Sequence, residues 1–257
     1  MSVTEAEEVG APDEGARTSA AVRDGLGVGI AVGMSGLAFG AAAVTSGLGV
    51  AQACVLSLLA FTGASQFALA GVIGGGGGLV AGSLGAVLLG GRNALYGMRL
   101  ADTLRVRGWR RLLAAQAVID ETTAVATAQD GRAAARAGFY TTAISLYVTW
   151  NGSTLLGAAG AARLGDPEAI GLDVLGPAAF LALLWPRLHP VRTSGVGGRP
   201  PTGSRVRSEV RVALIAAVIA IAATPLLPPG VPVMLAAVAA LPALIRKDGD
   251  TADGRAP

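Results

Sequence analysis

The sequence predicts an all-α protein, a polytopic transmembrane helical bundle with about six to eight helical segments, some broken or re-entrant. Of its 257 residues, 52% are hydrophobic and only 14% are charged, whereas soluble domains carry about 25% charged residues. Residues 25–91 contain no Asp, Glu, Lys, Arg or His, and a transmembrane helix needs only about 20 apolar residues. These observations exclude a secreted disulfide scaffold, a nucleic-acid binder and an ordinary soluble enzyme, and they predict two or three crossings before residue 92.

The two ends of the chain differ from its apolar middle. Residues 1–24 are acidic and rich in small residues, and they lack the basic start and cleavage site of a secretory signal. We expect a disordered cytoplasmic tail there and a second disordered tail at residues 248–257. Residues 25–247 form the expected membrane domain.

The basic residues lie in short intervals between apolar segments. All of them except Lys247 are arginines, and they concentrate around residues 105–111 and in a polar linker at about residues 187–211. This distribution is typical of cytoplasmic loops under the positive-inside rule. Cys54 is the single cysteine, so no intramolecular disulfide can form.

Three later segments complete the predicted bundle. Residues 137–162 carry no charge and are long enough for one span. Residues 174–186 would form a helix of only about 20 Å, so this segment borrows from its flanks, tilts little, or is re-entrant. Residues 212–245 are interrupted by prolines from Pro225 onward, which predicts two short helices or a broken segment because proline disrupts a helix interior.

The segment at residues 112–129 leaves two alternatives open. As one helix it would place Gln116, Asp120, Thr123 and Thr127 on one stripe. If the segment lies on the membrane surface, its carboxylates are merely solvated. If it crosses, Asp120 or Glu121 is an intramembrane carboxylate and a candidate for proton coupling or a cation site.

Polar residues and glycines interrupt the apolar segments. Thr62 and Gln66 lie four residues apart and share a helix face, where they either bond neighbouring helices or contact a polar ligand near a break at Gly63. Trp150 and Asn151 lie at mid-span, where an interfacial aromatic belt does not explain a tryptophan. Packing is one explanation for them, and we favour a cavity-lining role.

Glycines supply two further patterns. The pairs at 29/33, 36/40 and 78/82 have small-xxx-small spacing, which either lets helices approach closely or arises by chance in a glycine-rich chain. The five glycines at 74–78 predict a turn or an unwound stretch, because each costs about 1 kcal/mol relative to alanine in a helix.

Catalytic chemistry has little support in this sequence. His189 is the single histidine and lies in the Arg-rich linker, so neither a Ser-His dyad nor a zinc-ligand cluster can be assembled. We therefore expect no enzyme activity, no cofactor and no metal site.

Six short motifs, taken in order, resemble the AzlC family of branched-chain amino acid permeases. They are GASQ at 63–66, RNALYG at 92–97, DET at 120–122, WNGST at 150–154, GLD at 171–173 and PAAFL at 177–181. Their order and spacing match the family over about residues 25–245. The acidic N-terminal tail, the expanded linker at 190–210 and the five-glycine run depart from the family pattern.

The resemblance implies a multi-pass cell-membrane transporter that exports leucine, isoleucine or valine together with a small AzlD-type membrane subunit. A zwitterionic substrate needs donors for its carboxylate, acceptors for its ammonium and an apolar pocket. The expected substrate-binding residues are Thr62, Gly63, Ser65, Gln66, Trp150 and Asn151, with Asp120 and Glu121 as proton-coupling candidates. The alternatives are a transporter or channel for another small solute, and a non-transporting membrane scaffold whose glycine stripes bind a partner.

Overall fold

The computed structural model describes residues 13–164, 203–227 and 235, and every regular element in these ranges is an α-helix. The helices are α1 (Glu14–Gly33), α2 (Gly36–Thr45), α3 (Val50–Leu59), α4 (Ala64–Gly74), α5 (Leu79–Gly90), α6 (Arg92–Leu104), α7 (Trp109–Gln116), α8 (Asp120–Ala128), α9 (Arg132–Arg163) and α10 (Gly203–Ala223). The all-α prediction is confirmed for the described residues. The predicted short span at 174–186 and the tail at 248–257 lie outside them.

Helix α1 begins earlier than the sequence predicts. The expected N-terminal tail extended to residue 24, but α1 starts at Glu14. Glu14 lies in the first turn, where a negative charge favours the helix because the N-terminal end of the helix dipole is positive. Thr18 donates from its hydroxyl to the Glu14 carbonyl oxygen, at 2.9 Å. The part of the predicted tail from Glu14 onward is therefore helical.

One helical stretch has the length and composition of a transmembrane helix. It runs from Glu14 to Thr45, through α1 and α2, and among the described residues no other helix meets both criteria. The rest of the charge-free run divides into α3, α4 and α5, which have 10 to 12 residues each. Helices of that length extend about 15–18 Å, roughly half of a hydrocarbon core. Two or three full crossings in this run are therefore not confirmed.

The glycine pairs of α1 and α2 pack directly against α9. A Cβ added at Gly29, Gly33, Gly36 or Gly40 would lie closer than 3.0 Å to atoms of α9, closer than real Cβ atoms come. The close-packing interpretation of these two pairs is confirmed. Of the third pair, at 78 and 82, only Gly82 approaches a neighbouring helix, α4.

The segment at residues 112–129 is broken rather than one helix. Helix α7 ends at Gln116 and α8 begins at Asp120, so the predicted stripe through both of them does not form. The Thr122 hydroxyl accepts a hydrogen bond from the Ile119 backbone N–H at 3.0 Å, and the Val118 and Ile119 side chains are buried. Each of the two helices extends only about 12–14 Å.

Helix α10 occupies the start of the last described range. It begins at Gly203, so the end of the predicted polar linker at 187–211 is helical. It ends at Ala223, two residues before Pro225. This end agrees with the predicted interruption of the 212–245 segment, because the residue before a proline disfavours helical geometry.

Candidate functional site

The chain breaks its helical path between α3 and α4. Gly63 has φ +56° and ψ −87°, a conformation that glycine adopts at little cost because it lacks a Cβ. Its carbonyl oxygen accepts hydrogen bonds from the backbone N–H groups of Gln66 and Phe67, at 3.0 and 3.2 Å. The break predicted at Gly63 is present, and it starts α4 abruptly at Ala64.

Gln66 holds the two sides of this break together. Its side chain is 1% exposed, and its Nε2 donates to the Leu56 carbonyl at 3.2 Å and to the Ser57 carbonyl at 3.4 Å. The Leu56 carbonyl also accepts the Ala60 backbone N–H at 2.9 Å, so the amide adds a bond from α4 to the last turn of α3. Gln66 thus bonds a neighbouring helix, which was one of its two predicted roles.

A cavity of about 280 Å³ lies beside the break. Its polar wall consists of Ser35, Thr62, Arg92, Asn93, Asp120 and Glu121. Its apolar wall consists of Val32, Phe61, Leu89, Ile119, Leu146 and Trp150, with Gly63 and Ala64 completing the lining. The volume lies near the low end of the range of roughly 300–1,000 Å³ for small-molecule pockets.

Three helices begin at this cavity. Ala64, Arg92 and Asp120 are the first residues of α4, α6 and α8, and all three line the cavity. The first backbone N–H groups of a helix have no intrahelical acceptor, and the helix dipole adds partial positive charge there. The cavity is therefore bordered by three sets of N–H donors on separate helices.

Opposite charges meet across the cavity wall. Arg92 Nη2 and Asp120 Oδ2 lie 2.7 Å apart, with 34% and 20% of the two side chains exposed. This ion pair connects the start of α6 with the start of α8, and Glu121 lines the cavity beside it. Both charges remain partly accessible, so the pair can exchange partners with a charged ligand.

Trp150 lines the cavity and also packs against two aromatic rings of neighbouring helices. Its ring stacks on Phe39 at a centroid distance of 6.1 Å and meets Phe67 edge-on at 6.4 Å. Among the described residues its indole Nε1 has no hydrogen-bond acceptor, although buried indole N–H groups usually have one. The tryptophan therefore fixes α2, α4 and α9 around the cavity.

The predicted site residues separate into two groups. Thr62, Gly63, Trp150, Asp120 and Glu121 line the cavity. Ser65, Gln66 and Asn151 are not among the lining residues.

The Asn151 Nδ2 donates to the Tyr147 carbonyl at 2.8 Å, one turn back along α9. Ser65 is 6% exposed. Direct contact of Ser65, Gln66 or Asn151 with a ligand stays a prediction.

Besides Ser35 and the apolar lining residues other than Trp150, sequence reasoning missed Arg92 and Asn93. Both belong to a motif quoted for the family resemblance, but Arg92 counted only as the end of the charge-free run. The available signal was an isolated charge directly after an apolar stretch, because such a charge requires a partner. Asp120, an acidic residue in the segment at 112–129, is that partner.

Comparison with known protein families matches residues 27–164 to the AzlC protein family. The chain belongs to the AzlC family. The match covers more than half of the chain and includes every residue that lines the cavity. AzlC proteins are associated with membranes and amino-acid transport rather than with catalysis. No curated protein and no solved structure matches this AzlC chain.

Metal binding has no support in the AzlC chain where its structure is described. Within residues 13–164, 203–227 and 235, no three His, Cys, Asp or Glu side chains group together in a way that would hold a metal ion.

Proposed function

We propose that this AzlC family chain is the large subunit of a multi-pass cell-membrane exporter of branched-chain amino acids, working with a small AzlD-type membrane subunit. The observation that supports the proposal most directly is the cavity at the start of three helices. It combines the first residues of three helices, one arginine, two carboxylates and an apolar wall. A zwitterion with an aliphatic side chain needs each of these groups.

The substrate carboxylate binds at the start of α4. The backbone N–H groups of Ala64 and Ser65 precede the first intrahelical hydrogen bonds of that helix, so they can donate to an anion. Arg92 adds a full positive charge and a planar set of donors that suits a carboxylate. Broken helices with their N-terminal ends directed at an anionic substrate group recur in secondary transporters.

The substrate ammonium binds at the start of α8. Asp120 and Glu121 are the two acidic residues that line the cavity. The bound zwitterion replaces one protein ion pair, Arg92 with Asp120, by two ion pairs with the substrate. The two new ion pairs offset the loss of the internal pair. The net charge of the cavity stays the same because the zwitterion is neutral.

The apolar wall selects the side chain of the substrate. Leu89, Ile119 and Leu146 present only aliphatic groups to the cavity. A hydrophobic pocket discriminates weakly between side chains that differ by one methylene, typically by about 1–3 kcal/mol. Leucine, isoleucine and valine should therefore share the site, whereas a charged side chain would have no partner there.

The arrangement of long and short helices supports a multi-pass topology. Helix α9 continues without interruption over 32 residues, about 48 Å, and contains the charge-free interval 137–162. The stretch Glu14–Thr45 lies along it. Helices α3 to α8 are short, and irregular backbone at membrane depth is tolerated where it borders a cavity or is buried in protein.

Leucine efflux from loaded proteoliposomes, with and without the small subunit, tests the proposal. We expect Arg92→Gln to reduce efflux roughly 10- to 100-fold, because a hydrogen bond to a charged group contributes about 1.5–3 kcal/mol. Arg99→Gln is the matched control, since Arg99 lies on the same helix, is exposed and does not line the cavity. Valine and isoleucine should compete with leucine.

Three outcomes would contradict the proposal. Efflux of another small solute without competition by leucine would indicate a different substrate class. A reconstituted complex that moves no solute in either direction would favour the scaffold alternative. If Arg92→Gln behaves like Arg99→Gln, the cavity is not the substrate site.

A further inference from the structure

A second cavity, of about 640 Å³, lies on the other side of Phe61. It is a groove between α7 and α9, and its lining residues are mainly aromatic and aliphatic. Trp109, Leu113, Ile144 and Val148 in this groove each have more than 60% of their surface exposed. A contiguous apolar surface of this kind marks a site that something other than water covers.

Two charged residues line the groove, and both are arginines, Arg110 on α7 and Arg136 on α9. Both side chains are exposed. Gln116 and Tyr147 donate to the neighbouring carbonyls of Leu59 and Leu58, at 2.7 and 3.2 Å, so their polar atoms are already bonded to the protein. The charge that the groove offers to a ligand is therefore positive.

Within the described part of the chain, neither arginine has an acidic partner. Arg110 and Arg136 form no ion pair there, and Arg110 lies 5.8 Å from the centre of the Trp109 ring. Two exposed positive charges next to an exposed apolar groove suit a ligand with an anionic head and a long hydrocarbon tail. Arginines concentrate at residues 105–111, as expected of the cytoplasmic face, where anionic lipids attract basic residues.

We propose that this groove binds an anionic phospholipid, with its phosphate between Arg110 and Arg136 and an acyl chain along Leu113, Ile144 and Val148. An apolar helix from a partner would not use the two arginines, and a free phosphate would leave the apolar wall uncovered. Phe61 lines both this groove and the amino-acid cavity. An acyl chain in the groove therefore supports one wall of the transport site.

The test measures how lipids change the thermal stability of the purified full-length protein in detergent. We expect dioleoyl phosphatidylglycerol to raise Tm more than dioleoyl phosphatidylcholine. The double variant R110Q/R136Q should lose roughly thirtyfold in apparent affinity for the anionic lipid, since each arginine near an anionic surface contributes about fivefold.

The control is R111Q/R132Q, which removes the same charge from the same two helices at exposed positions outside the groove. It should retain the preference for phosphatidylglycerol. Dihexanoyl phosphatidylglycerol, with the same head and short tails, should stabilise the wild type far less than the dioleoyl lipid.

Three results would overturn the proposal. Equal losses in R110Q/R136Q and R111Q/R132Q would indicate general surface charge rather than a site. Equal stabilisation by the two dioleoyl lipids would show that the headgroup makes no specific contact. Equal stabilisation by dihexanoyl and dioleoyl phosphatidylglycerol would show that the acyl chain makes none. None of these results depends on transport, so they leave the proposed export function to its own assay.

Discussion

The contact between α2 and α9 makes Gly40 a sensitive glycine to test. A Cβ at Gly40 would overlap the Thr154 carbonyl oxygen and lie 2.7 Å from the Ala158 backbone nitrogen. Both atoms belong to the backbone of the longest described helix, so neither can rotate away as a side chain would. The change Gly40→Ala therefore has to push α2 off α9.

The expected size of the effect follows from two opposing contributions. Overpacking a close contact costs about 1–3 kcal/mol, while alanine in place of glycine gains up to about 1 kcal/mol of helical preference. A net loss of about 1–2 kcal/mol corresponds to a fall in Tm of roughly 2–8 °C for a chain of this size. Leucine efflux should fall as well, because the adjacent Phe39 stacks on Trp150.

Two matched glycines provide the control. A Cβ added at Gly27 on α1 or at Gly152 on α9 would have no neighbouring atom within 4 Å, so Gly27→Ala and Gly152→Ala should leave Tm unchanged or slightly higher. Heating the purified protein and measuring the monodisperse fraction gives Tm for all three variants. A wild-type Tm for Gly40→Ala, or equal losses in all three, would refute the close-packing argument.

Two further predictions concern the break and the carboxylates. Gln66→Leu removes the amide that donates from α4 to the Leu56 and Ser57 carbonyls, and we expect a loss of about 1–3 kcal/mol in stability that Gln129→Leu, outside any helix, does not reproduce; equal Tm values would contradict this. Glu121→Gln should weaken leucine exchange, because it removes one of the two carboxylates proposed to bind the ammonium, and it should abolish the response of the remaining exchange to a pH gradient. If collapse of the pH gradient does not slow leucine efflux by the wild-type protein, efflux is not coupled to protons.

The sequence predicted the features that depend on local composition. The long apolar helix, the break at Gly63 and the close approach at two glycine pairs all follow from missing charge or missing side chains. The Arg92–Asp120 ion pair does not, since it joins two helices that are distant in sequence. The break between α7 and α8 contains neither glycine nor proline; burial of Val118 and Ile119 and the Thr122 cap maintain it.

The early start of α1 shows a different limit of sequence reasoning. Acidic and small residues at 13–24 are typical of a tail, yet alanine, arginine and glutamate also favour helix. Ala21 and Gly25 are buried, and Gly25 faces Thr142 on α9. The composition of residues 13–24 fits both a disordered tail and a helix. Packing against α9, which is distant in sequence, therefore favours the helix.

The three helices that begin at the 280 Å³ cavity have a consequence for how the proposed carrier would release its cargo. Helix α9 is continuous, whereas α4, α6 and α8 are short and each follows a break or a one-residue junction. In such a carrier, outward movement of one of these short helices would open the cavity. That movement also carries away the donors or charge at its first residue, so the gate and the loss of affinity are one event, and cargo would be released as soon as the path opens.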